Sequence, residues 1–325
     1  MDFKDFRAGR DDDSKRLDRI AGRILKDFPG INCQEAIRKR LVRLNGKKAS
    51  GGDRVFEGDV ISVASFLLET APVRKDDGEK IEKDAEIETV FRNEHILIIN
   101  KPRGISVQPS ESGEKSLSET VAELYPGEGS SLSFRTGPLH RLDRNTSGLL
   151  AFSQSSLGAR WFSEAISSHQ IGKVYLGIAE GRLDGPERWE DFLKDGEKKH
   201  GFYTMKASDG ASVGKSAVTK AVPLAYGCSH DTESTLVQYE IETGRKHQIR
   251  CQSAMHGHPL AGDSAYGGKG HTFYLHSAAM LFPAENPLGI PEKIYCPPPV
   301  DFKNFLDLNL INWDGQLIIS YGGAE

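Results

Sequence analysis

The run His140-Arg141-Leu142-Asp143-Arg144-Asn145-Thr146-Ser147-Gly148-Leu149-Leu150 constrains this chain more than any other stretch. It sets one carboxylate, Asp143, between two guanidiniums and just ahead of a Thr-Ser-Gly turn signal. An apolar segment, Leu149 to Phe152, follows at once. A short apolar run bounded by turn residues reads as a buried strand. Packing a strand needs no His-Arg-x-Asp-Arg at its entrance. The charged residues are therefore expected at the mouth of a site built on the end of a core strand, one that grips phosphates while aiming a single acid at a sugar.

Bulk properties bound the frame for such a site. The 325 residues suffice for a large domain, or a large domain plus a small one. Hydrophobic residues make up 38% and charged residues 27%, with a mean hydropathy of -0.46, the balance of a soluble globular protein. No apolar run approaches the roughly 20 residues that span a bilayer. Met1 to Lys15 is charged and lacks the apolar core of a secretory signal. Cys33, Cys228, Cys251 and Cys296 are scattered, which speaks against a disulfide framework or zinc knuckle and for a reducing cytoplasm. Net charge is -4, an unfavourable sign for a nucleic-acid binder. Residues 16–63, however, hold 11 Lys/Arg against 6 Asp/Glu, and local fields rather than averages steer polyanions.

Along the chain, residues 1–15 read as a disordered tail, with Asp11-Asp12-Asp13 as solvated charges. Residues 16–68 read as a compact basic unit. Leu17, Ile20, Ile24 and Leu25 recur at helical spacing. After Pro29-Gly30, the spacing of Cys33, Ile37, Leu41 and Leu44 predicts a second helix whose other face carries Arg38, Lys39, Arg40 and Arg43. Asn45-Gly46 is a turn, Lys47 adjoins it, and Val60 to Val63 closes the unit as a strand. Residues 69–88, mixed in charge with Pro and Gly, read as a linker. From 89 to 325 one long domain is expected. Its strands lie near Ile96, Leu149, Lys173, Leu236 and Phe273, and its helices over 118–125, 156–168 (Leu157, Trp161, Phe162 and Ile166 inward) and 245–256. Residues 183–215 are expected as an excursion from the core. Strands outnumber helices and no βαβ rhythm is present, so the fold class is α+β, around a mixed, largely antiparallel sheet flanked by helices.

The motifs then converge on one family. Lys101-Pro102-x-Gly104-x-x-Val107-x-Pro109, residues 137–150, Lys173-Val174-Tyr175, Gly244-Arg245-Lys246-His247-Gln248-Ile249-Arg250, His258-Pro259-Leu260-x-Gly262-Asp263-x-x-Tyr266-Gly267 and Leu275-His276-Ser277 occur in order. This series resembles the RluA-type RNA pseudouridine synthases across nearly the whole chain. One departure is Gln108, where the family usually has His. In the basic unit, Arg16-Leu17-Asp18, then Val42 to Lys47, then Glu57-Gly58-Asp59-Val60-Ile61 resembles the alpha-L RNA-binding motif, a small α/β module shared with a small-subunit ribosomal protein.

The resemblance implies a reaction and assigns roles. Uridine would be extruded from its stack, its bond to ribose broken, and the ribose rejoined to a ring carbon. Nothing is imported or oxidised, so no cofactor and no metal are expected. Asp143 would act at the sugar, as nucleophile or as base. Arg250 would hold Asp143 ionised through a two-bond fork. Tyr175 would stack on the uracil and accept a proton, and Ile249 would pack under it. Arg141 would fill the gap left by the flipped base or grip its phosphates. Arg144, Arg245 and Lys246 would contact phosphates, and His140 and His247 would hydrogen-bond within the site. In the basic unit, Arg38, Lys39, Arg40, Arg43 and Lys47 would contact RNA. The expected partner is RNA, large-subunit ribosomal RNA ahead of tRNA, with no membrane and no obligate protein partner for a monomer. Two other readings use the same residues: a non-catalytic RNA-binding or ribosome-assembly protein, and a nucleoside-cleaving hydrolase, for which no second acid placed to activate water is evident.

Overall fold

A computed structural model describes residues 1–26, 28, 30–69, 87–109, 113–125, 131–199, 202–208, 213–229 and 232–318. Most of the expected linker lies outside the described residues. The N-terminal unit contains Phe3–Arg7 (β1), Leu17–Ile24 (α1), Cys33–Arg38 (α2), Val42–Leu44 (β2), Lys47–Lys48 (β3) and Val60–Ala64 (β4). Its antiparallel sheet runs β1-β4-β2-β3 over a core of Leu17, Ile20, Ile37, Val42, Ile61 and Val63.

Two expectations fail in this unit. The second helix stops at Arg38, because Arg40 takes a positive φ of 62° that no α-helix can continue. Leu41 and Leu44 therefore lie beyond it, and Val42 is fully buried in the sheet opposite Val63. Arg38, Lys39, Arg40 and Arg43 do not share a helix face. The first three are exposed around the helix end, while Arg43 sits on β2 with its guanidinium 4.1 Å from the Phe3 ring centroid. The disordered tail is also overturned. Phe3–Arg7 pairs with β4 from Phe3↔Ala64 to Arg7↔Val60. Asp12 is fully buried, and its carboxylate accepts from Ser131 Oγ (2.9 Å), Leu132 N (2.7 Å), Ser133 N (3.0 Å) and Ser133 Oγ (2.5 Å), all in the larger unit. Lys15 Nζ adds a bond to Ser133 Oγ at 3.1 Å. A buried charge needs such partners, and they dock one unit onto the other.

The larger unit is built on Thr89–Arg92 (β5), Ile96–Lys101 (β6), Ser147–Ser153 (β7), Gly172–Glu180 (β8), Glu187–Lys199 (β9), Phe202–Ala207 (β10), Lys215–Ser229 (β11), Thr232–Ile241 (β12) and Leu275–Leu281 (β13). Strand order is β10-β9-β11-β12-β8-β13-β7-β6-β5. Two short strands, Gly137–Pro138 and Lys293–Tyr295, join at β7 and β13. Only β7 and β13 run parallel among the described pairs. Helices Leu117–Leu124 (α3), Ser156–Ser167 (α4), Gln248–Met255 (α5) and Val300–Leu308 (α6) complete an α+β fold. Residues 183–215 are not an excursion. They supply β9 and β10, anchored by the buried Trp189 and Leu193.

Period-2 burial explains why the central strands hold both faces of the sheet. Leu97, Ile99, Leu150 and Phe152 enter one core cluster, which also contains Leu142, Tyr175 and Ile249. Ile96, Ile98, Leu149 and Ala151 enter the other, beneath Phe162 and Ala165 of α4. On α4 Phe162 and Ala165 are buried and Trp161 and Ile166 pack beside them against the core, as expected, while Leu157 is turned outward at 38% exposure. Gly148, with φ of 103°, permits the parallel contact: a Cβ there would lie 2.3 Å from Ser277 O.

Candidate active site

Strand β13 lies between β7 and β8, and Ser277 is opposite both Gly148 and Tyr175 in the two ladders. This topology brings the turn before β7 and the Tyr175 side chain to one end of the sheet. They share a cavity of about 550 Å³. The turn closes through Thr146 N donating to Asp143 O at 3.1 Å. Lys101, fully buried at the end of β6, fixes it from below. Its ammonium donates to Arg144 O (2.9 Å), Thr146 O (2.8 Å) and Pro102 O (2.9 Å). Burial pushes that ammonium down to about 7, while the Asp143 carboxylate works in the other direction.

Asp143 is 15% exposed and meets Arg250 Nη1 through Oδ2 at 3.2 Å, joining residues 107 apart in sequence. Arg250 makes one bond to Asp143, so the expected fork is made to a different residue. Its Nε and Nη2 donate to Asp263 Oδ2 (2.7 Å) and Oδ1 (2.9 Å). Asp263 is 2% exposed. The guanidinium carbon lies 4.3 Å from the Phe273 ring centroid and 5.0 Å from that of Tyr266. Arg250 is thus held by a carboxylate and two rings and presents its remaining edge to Asp143. Burial works against its charge, but the bonds it donates to Asp263 and Asp143 outweigh this and raise its already high pKa.

Tyr175, Ile249 and Leu142 line the cavity as its apolar floor, each at 5% exposure or less. Burial pushes the Tyr175 phenol up, so it stands neutral, a donor and an acceptor but a poor base. His247 takes φ of 51° ahead of α5, with Nε2 3.8 Å from Asp143 Oδ1 and Nδ1 2.9 Å from Tyr266 Oη. Burial lowers it to about 4, so it too is neutral. His140 stacks on Phe162, and its Nε2 accepts from Ala151 N at 3.0 Å. Burial, with the nearby Lys173 charge, takes it down to about 3.

Of the remaining candidates, Arg141, Arg245 and Lys246 line the cavity. Arg141 and Arg245 are exposed at its rim, and Arg245 Nε donates to Ser216 O at 2.8 Å. Arg144 does not line it. Its guanidinium bonds Gly104 O and Glu114 instead. The helix expected from Arg245 begins at Gln248. The Gln248 side chain accepts from Arg245 N and Thr243 Oγ1, tying that stretch into a turn. Gln108 is exposed and outside the cavity lining. The basic residues of the N-terminal unit are not part of this cavity. Lys101, Asp263, Phe273 and Tyr266 were missed as site residues. Lys101, Asp263 and Tyr266 sit inside recognised motifs, but no local spacing reveals that they converge on Asp143 and Arg250.

Among the described residues no group of three or more His, Cys, Asp or Glu is placed to hold a metal ion, and no helix is long and apolar enough to cross a membrane. Comparison with known proteins agrees with this geometry. Residues 95–255, which carry Asp143, Tyr175 and Arg250, match the RNA pseudouridylate synthase family model. The uncharacterized RNA pseudouridine synthase YhcT of Bacillus subtilis is 31% identical over 267 residues, 80% of this chain and 80% of that protein. Ribosomal large subunit pseudouridine synthase D of Yersinia pestis is 26% identical over 257 residues, 78% of this chain and 74% of its own length. The structure of human RNA pseudouridylate synthase domain containing 1 superposes with a TM-score of 0.56 at 20% identity, covering 71% of this chain and 91% of that one, a likeness of fold. A relative this similar over four fifths of both sequences, with the family model across the cavity, settles the assignment: the chain belongs to the RNA pseudouridylate synthase family.

Proposed function

We propose that this protein isomerises specific uridines to pseudouridine in large-subunit ribosomal RNA, using Asp143 at the ribose and a base flipped into the cavity. The observation that carries this reading is the single bond from a doubly anchored Arg250 to the partly exposed Asp143 carboxylate. A carboxylate in this setting needs a cation to offset desolvation, yet must keep an oxygen for chemistry. Attack on ribose C1′ and removal of a ribose proton both start from such an oxygen. In either case the N1–C1′ bond breaks, C5–C1′ forms, and C5 gives up its proton. The neutral Tyr175 phenol and Ile249 would flank the uracil, and Arg141 at the rim would occupy the vacated stack. Arg245 and Lys246 would reach flanking phosphates. The choice of ribosomal RNA over tRNA rests on relatives named as large-subunit synthases C and D.

The N-terminal unit is read as an alpha-L RNA-binding module, with Arg38, Lys39, Arg40 and Lys47 exposed for phosphate contacts and Arg43 beside them. The protein is read as a cytoplasmic monomer that needs no partner beyond RNA. Glu242 is the other carboxylate lining the cavity among the described residues, and it is ion-paired to Arg188. That leaves the hydrolase reading without a free water-activating acid. Mapping pseudouridines in unmodified large-subunit ribosomal RNA before and after incubation with the protein tests the proposal. New pseudouridine at one or a few positions is expected. Modification of tRNA alone would overturn the choice of RNA, and release of free uracil would overturn the reaction.

A further inference from the structure

Two lysines are buried near Asp143, and they differ in one respect. Lys101 spends its three protons on three carbonyl oxygens. Lys173, at the start of β8 and 8% exposed, has no carboxylate, carbonyl or hydroxyl partner among the described residues. Its side chain lines the same cavity as Asp143 and Tyr175. The wall beside it is bare backbone: a Cβ on Gly244 would lie 3.5 Å from Lys173 Nζ. The neighbouring His140 is neutral, so it adds no counter-charge.

Burying an ammonium costs several kcal/mol unless an anion or a full set of acceptors answers it. The described residues supply neither, so the ammonium faces the cavity solvent until a substrate group takes that place. Uracil offers two carbonyl oxygens that point to opposite sides of N3 and cannot both reach one ammonium. RNA offers one kind of anion, the phosphodiester. We propose that Lys173 binds a phosphate next to the flipped uridine, holding the ribose while the glycosidic bond breaks and reforms. This rests on reading the cavity as the uridine site.

Lys173→Met tests it through two readouts that a structural lysine would move together. Free of an uncompensated buried charge, the variant should melt at or above the wild-type temperature. Its kcat/KM on an RNA carrying the mapped uridine should fall roughly ten- to hundredfold, the range of a lost hydrogen bond to a charged group. Lys173→Arg should recover part of that loss. Neutral methylphosphonate linkages, placed in turn 5′ and 3′ of the target uridine, identify the anion. At one of them the wild type should lose the same factor, and Lys173→Met should lose nothing further. A variant that melts lower or does not fold marks a structural lysine and overturns the proposal. So do losses that add at both linkages. Failure of the cavity reading itself would show separately, as an Asp143→Asn protein with wild-type turnover.

Discussion

Asp263→Ala isolates the support beneath the proposed catalytic pair. The substitution removes both acceptors of the Arg250 fork, at 2.7 and 2.9 Å, and leaves a guanidinium 8% exposed with one bond, at 3.2 Å, to Asp143. Removing one partner of a buried ion pair costs about 3–5 kcal/mol, because the remaining charge stays desolvated. The faces of Phe273 and Tyr266 would recover about 1 kcal/mol at most, since they already contribute in the wild type. A destabilisation near 3 kcal/mol is therefore expected in urea unfolding. Freed from its fork, Arg250 can swing onto Asp143 and engage both oxygens. Turnover should then fall roughly 10- to 100-fold, with KM little changed, as the aim of one charge-assisted bond is lost. Tritium release from [5-³H]uridine-labelled RNA measures the rate. If Asp263→Ala keeps wild-type stability and turnover, the clamp is not what holds Arg250.

Burial opposes ionisation of Asp12, but the bonds from Ser133, Leu132, Gly9 and Ser131 outweigh it and hold the carboxyl below its ordinary value of 3.8. A depressed pKa stabilises above the unfolded value and fails as pH falls through the folded one. At neutral pH, Asp12→Ala should therefore lower hydrogen-exchange protection at the Leu132 and Ser133 amides, and protection there in the wild type should fall with acid below about 3.8; equal protection in Asp12→Ala refutes the docking contact. His140, His247 and His276 are held neutral by burial, at about 3, 4 and 4 against an ordinary 6.5, so the unfolded chain binds more protons between those values. Stability should fall as pH drops from 6.5 towards 4, by up to about 4 kcal/mol per pH unit if all three contribute in full, and a flat urea midpoint across that window contradicts their burial. Replacing Arg38, Lys39 and Lys47 by Glu should weaken binding of the target RNA at least tenfold and flatten its salt dependence. Filter binding at two salt concentrations checks this, and an unchanged slope removes the N-terminal unit from RNA recognition.

What the sequence disclosed, and what it hid, divides by the range of the interaction. Leu149 to Phe152 and Ile96 to Ile99 announce buried strands because nearly every residue is apolar, and both are core strands. Asp143, Tyr175 and Arg250 were legible through their motifs, and the fold unites them. Asp263 sits in a recognised block. Its grip on Arg250 depends on the loop after α5 folding back, which no local period encodes. The helix expected to reach Leu44 failed because apolar spacing there also fits a helix, a turn and a strand, and the positive φ at Arg40 decides between them. The acidic run at Asp11 to Asp13 resembles a solvated tail in composition, but the donors that bury Asp12 lie some 120 residues away. Strands β9 and β10 look polar because an edge hairpin buries little beyond Trp189 and Leu193.

Most directly at issue is the carboxylate itself. Asp143→Asn keeps shape and a hydrogen-bond acceptor for Arg250 but removes the charge, so RNA binding should persist within a few-fold of wild type. In single-turnover reactions with excess protein, tritium release from [5-³H]uridine RNA should drop below detection. Release at the wild-type rate by that variant would contradict the assignment of Asp143.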